Sequence, residues 1–140
     1  MDVVCHVITK LELGGAQEVA MQVVSSLDRR RFRPVLIAGP DGLLTAEAHA
    51  LQGVELQLIP SMGREMQLLH DLRALWELVA TFRRLRPKIV HTDSSKAGIL
   101  GRVAAWLAGV PCILHMIHGY GVTPAQPLWL QHLVIKLEWM

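Results

Sequence analysis

The sequence predicts an α/β fold: a Rossmann-like, doubly wound, mainly parallel five-stranded sheet in the order 3-2-1-4-5, with helices on both faces. Three observations predict it. Short β-rich runs alternate with longer stretches of helical period. The first run is apolar almost throughout, as in a strand covered on both faces. Strong turn signals such as Gly39-Pro40-Asp41-Gly42 separate the units. Right-handed crossovers then favour the doubly wound arrangement.

The elements follow in order. Val3–Thr9 reads as the first strand and Leu11–Gly15 as a loop. Ala16–Leu27 reads as a helix with Ala16, Val19, Ala20, Val23 and Leu27 on one face. Phe32–Ala38 is the second strand, Leu43–Gln52 a short helix closed by Gly53, and Val54–Ile59 the third strand. Leu68, Leu69, Leu72, Leu75, Trp76, Val79, Phe82 and Leu85 keep a three-and-four spacing that predicts a long amphipathic helix, ended by Pro87. Lys88–Thr92 is the fourth strand. Ser95–Ala108 is the fourth helix, with Ile99, Leu100, Val103, Ala104 and Leu107 inward and Gly109 as C-cap. Cys112–Met116 is the fifth strand, and a last helix starts at Leu128.

A chain of 140 residues has room for one domain, since folding at this length removes roughly 70% of the unfolded chain's surface. Apolar residues reach 51% without glycine, whereas about 45–50% with glycine included is usual. Charged residues are 19% and the net charge is +2. Disorder, a highly charged coiled coil and a strongly basic nucleic-acid binder are poor fits. Cys5 and Cys112 sit in apolar runs and make no disulfide framework, so both read as reduced, buried thiols of a cytoplasmic protein. The N-terminus lacks a signal-peptide pattern, and no apolar window reaches the roughly 20 residues of a membrane span.

In a doubly wound sheet, ligands bind beyond the carboxyl ends of the strands at the topological switch. This singles out the loops Lys10–Gly15, His91–Ser95 and Ile117–Gly121. Gly14-Gly15 precedes a helix, where backbone N–H groups are free for an anion, although a tight turn explains the pair equally well. The spacing is neither a dinucleotide fingerprint nor a Walker loop. In the second loop, Ser94 or Ser95 suits a helix N-cap. Asp93 needs solvent or a partner at the ligand end of the sheet. Lys96 opposes the helix dipole unless an anion, Asp93 or solvent compensates. In the third, His115 and His118 form an H-x-x-H pair with no third ligand at a diagnostic spacing, so no metal is expected. His115 reads as a core histidine and His118 as the one placed to meet substrate.

With these loops in view, the chain resembles the N-terminal half of a bacterial GT-B-fold retaining glycosyltransferase of family 4. The stretches that carry the resemblance are HVITKLELGGAQEVAMQVVSSL, FRPVLIAGPDG and LRPKIVHTDSSKAGILGRVAAWLAGVPCILHMIHGYG, with the apolar C-terminal helix. The resemblance implies transfer of a sugar from a nucleoside-diphosphate sugar to a glycan or lipid-linked acceptor, generally without a metal and with no further cofactor. It implies that His118 is the active-site histidine, contacting the donor sugar and supporting the transition state. It further implies that Gly14 and Gly15 approach the donor diphosphate or sugar. His91, Asp93, Ser94, Lys96, Gly119 and Tyr120 would line the acceptor side. Two positions depart from the pattern: Asp93 stands where a second histidine is common, and Met116 where a threonine is common.

Residues 1–140 are thus expected to be the acceptor-side domain of such an enzyme. The C-terminal donor-binding domain is expected to lie outside these residues, and this chain is expected to be inactive by itself. One subunit of a split transferase, or a non-catalytic binding or assembly module on the same sheet, are the alternatives. The expected partners are the donor-binding domain and a second copy of the chain, held through the apolar helix from Leu128. Peripheral contact with the inner membrane through Arg83, Arg84, Arg86 and Lys88 is a further expectation, and nucleic acid is not expected.

Overall fold

Nine residues, Asp2–Lys10, form the central strand β1, whose middle is buried on both sides. The computed structural model describes residues 1–119 and 123–139. β2 (Phe32–Gly39) and β4 (Ile89–Asp93) flank β1, while β3 (Glu55–Leu58) and β5 (Cys112–Met116) lie outermost. Every pairing is parallel and the order is β3-β2-β1-β4-β5, as the sequence predicts. The helices between the strands are α1 (Gly15–Ser26), α2 (Thr45–His49), α3 (Leu68–Leu85) and α4 (Ser95–Leu107); α5 (Leu128–Glu138) follows β5. No helix among the described residues is long and apolar enough to cross a membrane.

Alternation along the strands builds two cores. Cys5, Val7, Val35, Ile37 and Val90 meet Leu78 and Phe82 of α3 and Ala104 of α4. Ile8, Leu36 and Ala38 on the opposite face meet Ala20, Met21 and Val24 of α1 and Ala48 of α2. The helices divide unequally. α5 joins the α3 and α4 side, where Arg102 of α4 donates to the carbonyls of Leu137 and Glu138 at 2.8 and 3.2 Å. On the α1 side the covering is thinner over the far edge, and Leu114 and Met116 of β5 are 49% and 38% exposed. His6 of β1 and His91 and Asp93 of β4 lie on this thinly covered side.

Three helices turn differently from expectation. α1 buries Ala20, Met21 and Val24, a face turned from the expected one, with Val19 and Val23 half-buried. α3 buries Ala74, Leu78, Val79, Thr81, Phe82 and Leu85, whereas Leu68, Leu69, Leu72 and Trp76, expected inward, are exposed. Two apolar stripes share this helix, and the sheet selects the one containing Leu78 and Phe82. α4 turns its small residues inward: Ala97, Gly98, Gly101, Ala104 and Ala105 are buried, while Val103 is exposed. A Cβ on Gly101 would lie 2.7 Å from the Thr92 methyl and one on Gly98 2.4 Å from the His115 ring. Close approach to the sheet therefore excludes the larger side chains from that face. The short second helix contracts to Thr45–His49.

Candidate functional site

The parallel register sets His6 of β1 beside His91 of β4. Paired residues in register point to the same face, and the two rings stand 4.3 Å apart between centroids. Asp93, two residues beyond His91, shares that face and is completely buried. Its Oδ2 accepts from His6 Nε2. Its Oδ1 accepts from His118 Nε2 at 2.6 Å, drawing the chain after β5 onto the end of β4. One carboxylate thus ties together the middle of β1, the end of β4 and the segment after β5.

Burial alone raises the Asp93 pKa, but the hydrogen bond and charge of His6, then the bond from His118, outweigh it and hold the group below the usual carboxylate value. His91 is shifted downward, first by burial and then by the neighbouring His6, with Asp93 partly opposing. The centre therefore holds an anion braced by two imidazole N–H groups and a third, neutral ring.

The start of α4 is built differently from the expected serine cap. Ser94 occupies the N-cap position at φ 67° without a side-chain cap bond. Its hydroxyl lies 2.8 Å from that of Thr9, and Thr9 Oγ1 accepts the Ala97 N–H at 3.1 Å. The capping oxygen thus comes from β1, across the switch point. Lys96 turns to α3, pairing with Asp71 at 2.5 Å and donating to the Glu65 carbonyl. It makes no ion pair with Asp93.

Gly14 is extended (φ 172°) and the first bond of α1 runs from Glu18 N–H to the Gly14 carbonyl at 3.1 Å. A Cβ on Gly15 would meet no atom. A Cβ on Gly14 would lie 2.7 Å from Gln17 Oε1, so the Gln17 side chain borders the start of α1. Gly119 has φ 145°, a value that favours glycine directly after His118. Tyr120 lies outside the described residues.

The H-x-x-H pair separates. His115 is held from Nδ1 by Thr92, 2.9 Å from its hydroxyl and 3.1 Å from its carbonyl, and its Nε2 meets buried Glu138 at 2.7 Å. It pins α5 to β5 on the sheet face opposite Asp93. Among the described residues, the set that could hold a cation is His6, His91 and Asp93, whose ligand atoms lie within 4.8 Å of one another. Both Asp93 oxygens are already hydrogen-bonded, so a cation there has to displace imidazole donors.

His6 and Glu138 are absent from the sequence-level candidates. The signal for His6 was a histidine interrupting an apolar strand; for Glu138 it was a single acid in an apolar helix.

An open, all-parallel sheet in the order β3-β2-β1-β4-β5, with helices packed on both faces, is a Rossmann-like domain. The sequence agrees: the model of the glycosyl transferase 4-like domain matches residues 14–138, and the chain belongs to that family. It is 38% identical over 117 residues to an Escherichia coli UDP-Gal:alpha-D-GlcNAc-diphosphoundecaprenol alpha-1,3-galactosyltransferase, covering 84% of this chain and 30% of that protein. It is 34% identical over 108 residues to a UDP-N-acetylglucosamine--N-acetylmuramyl-(pentapeptide) pyrophosphoryl-undecaprenol N-acetylglucosamine transferase of Thermus thermophilus, covering 73% of this chain and 32% of that protein. In fold it resembles Acinetobacter baumannii MurG, with TM-score 0.71 and 16% identity over 98% of this chain and 39% of that one. It also resembles the calicheamicin glycosyltransferase CalG4, with TM-score 0.60 and 18% identity over 96% of this chain and 35% of that one. The chain therefore spans about a third of the length of these proteins.

Proposed function

We propose that residues 1–140 are the acceptor-side domain of a glycosyltransferase that moves a sugar from a nucleoside-diphosphate sugar to a lipid-linked glycan acceptor. The observation that carries this reading is the His118–Asp93 contact at the switch point of the sheet, in a chain 38% identical to a transferase named for a diphosphoundecaprenol acceptor. In the reaction, the bond from the sugar to the nucleoside diphosphate breaks as one to an acceptor hydroxyl forms. His118 contacts the donor sugar and supports the transition state. The free N–H groups at the start of α1, reached past Gly14 and Gly15, face the charge developing on the departing diphosphate. His91, Ser94 and Gly119 border the acceptor side, with Asp93 acting from behind His118 and Lys96 fastening α4 to α3. The nucleotide is held by a separate donor-binding domain.

The test is a chimera joining this chain to the C-terminal remainder of the Escherichia coli galactosyltransferase, assayed with UDP-galactose and GlcNAc-diphosphoundecaprenol. Galactose transfer above that of either half supports the reading. A folded chimera without transfer favours a non-catalytic module.

A lipid-linked acceptor calls for a cytoplasmic domain lying against the membrane, and the exposed stripe of α3 supports this. Leu68, Leu69, Leu72 and Trp76 are 46–80% exposed, and Trp106 of the adjoining α4 is 73% exposed. Residues 64–107 carry eight basic and four acidic side chains, an excess suited to anionic lipid. Cosedimentation with phosphatidylglycerol vesicles should exceed that with phosphatidylcholine vesicles and fall in Leu72→Ser/Trp76→Ser; equal partitioning disposes of the contact. Leu128, Trp129, Leu133 and Trp139 around α5 are likewise exposed, which supports self-association of the isolated chain. A clean monomer at high micromolar concentration contradicts it.

A further inference from the structure

We propose that Asp93 and His6 are positioning residues that lock the His118 ring through Nε2 and so leave its Nδ1 as the atom offered to a sugar hydroxyl. The hydroxyl end of this proposal rests on the transferase reading; the locked ring does not.

The three side chains form a graded series from inside to outside. His6 is 1% exposed and Asp93 0%, whereas the His118 side chain is 24% exposed. Asp93 Oδ2 takes His6 Nε2, so the carboxylate cannot swing toward His118 or away from it without losing a buried bond. Its remaining oxygen then fixes where His118 Nε2 must lie, at 2.6 Å. An ionised carboxylate only accepts, so His118 Nε2 carries the proton of this bond, and Nδ1 is the ring nitrogen left to face a substrate group. Nδ1 makes no hydrogen bond among the described residues, and an imidazole lone pair is matched by a hydroxyl donor. The His91 ring, 4.3 Å from His6 between centroids and tilted to it by 54°, packs against His6 and keeps it from turning aside. The His6–Asp93 pair thus does for the substrate-facing ring what an outer ligand does for a metal-bound histidine: it selects tautomer and angle.

The test is nitrogen-15 NMR of the histidine rings in this chain, without substrate. The His118 Nε2 proton should be protected from water and correlate with a protonated Nε2 and an unprotonated Nδ1. In Asp93→Asn and Asp93→Ser that resonance should disappear, because one acceptor no longer serves two donors. The His115 Nε2 proton, bonded to Glu138 on the other sheet face, serves as an internal control of folding and should persist. A His118 proton exchanging as in free histidine in the parent chain overturns the proposal without any variant. So does a His118 resonance unchanged in folded Asp93 variants. In the chimera, which supplies the donor-binding domain, addition of UDP-galactose should shift Nδ1 more than Nε2. If the lock is observed and Nδ1 does not move, the hydroxyl end is overturned while the positioning pair stands.

Discussion

His118, two residues beyond β5, hydrogen-bonds through Nε2 at 2.6 Å to Asp93, the last residue of β4. The same carboxylate is joined to His6, midway along β1, so a single buried side chain links three neighbouring strands. An acid that looks misplaced beside an apolar sheet is therefore the anchor of the site. The thinner helix cover on that face of the sheet makes room for three imidazoles there.

Loss of this anchor should be costly. Asp93→Ala strips an acceptor from buried His6 and from His118, and stability should fall by about 2–3 kcal/mol, as for removal of a charged partner from buried donors. Urea denaturation measures it, and a loss below about 0.5 kcal/mol, typical of surface substitutions, contradicts the arrangement.

Gly98→Ala tests the approach of α4 to β5. Helix propensity alone favours alanine by about 1 kcal/mol, but overpacking costs about 1–3 kcal/mol. The new Cβ would stand 2.4 Å from a His115 ring pinned by Thr92 and Glu138, so the clash should win. A Tm lower by about 3–6 °C is expected. A raised Tm contradicts the packing.

Two groups give acid sensitivity in separate windows. The His91 pKa is below its ordinary value of 6.5 in the fold, so the unfolded chain binds the proton first and stability declines as pH falls through that value. The Asp93 pKa is below 3.8, so its contribution is present above that pH and is lost as pH falls through the depressed folded value. Urea midpoints from pH 7.5 to 3 should decline in both windows. His91→Gln should flatten the upper window alone, and an unchanged upper slope in that variant counts against the assignment.

The two cysteines should differ in reactivity. Cys5 is fully buried, and burial, the largest influence, with Glu55 next, pushes its thiol up to about 12. Cys112 is half-buried on β5. Iodoacetamide at pH 8 should label Cys112 in the native chain and Cys5 only after unfolding; rapid native labelling of Cys5 contradicts its position.

Strand order and parallel pairing were legible from apolar runs, turn residues and helical period. Their limits are equally physical. On α3 the period offers two stripes, and only the sheet decides that Leu78 and Phe82 enter while Leu72 and Trp76 stay outside. On α4 the large residues look like anchors, but Gly98 and Gly101 allow an approach that leaves them at the flanks. His6 meets a carboxylate 87 residues away, a contact visible only once β1 and β4 are in register. Likewise, Thr9 caps α4 from another strand, which no local reading of Ser94 and Ser95 reveals.

The most direct measurement is the galactose-transfer rate of the chimera with His118→Ala, its folding verified by circular dichroism. A kcat lower by about 100-fold or more, in the range for loss of a group stabilising developing charge, is the predicted result. Transfer at the parent rate by the folded variant would contradict the account.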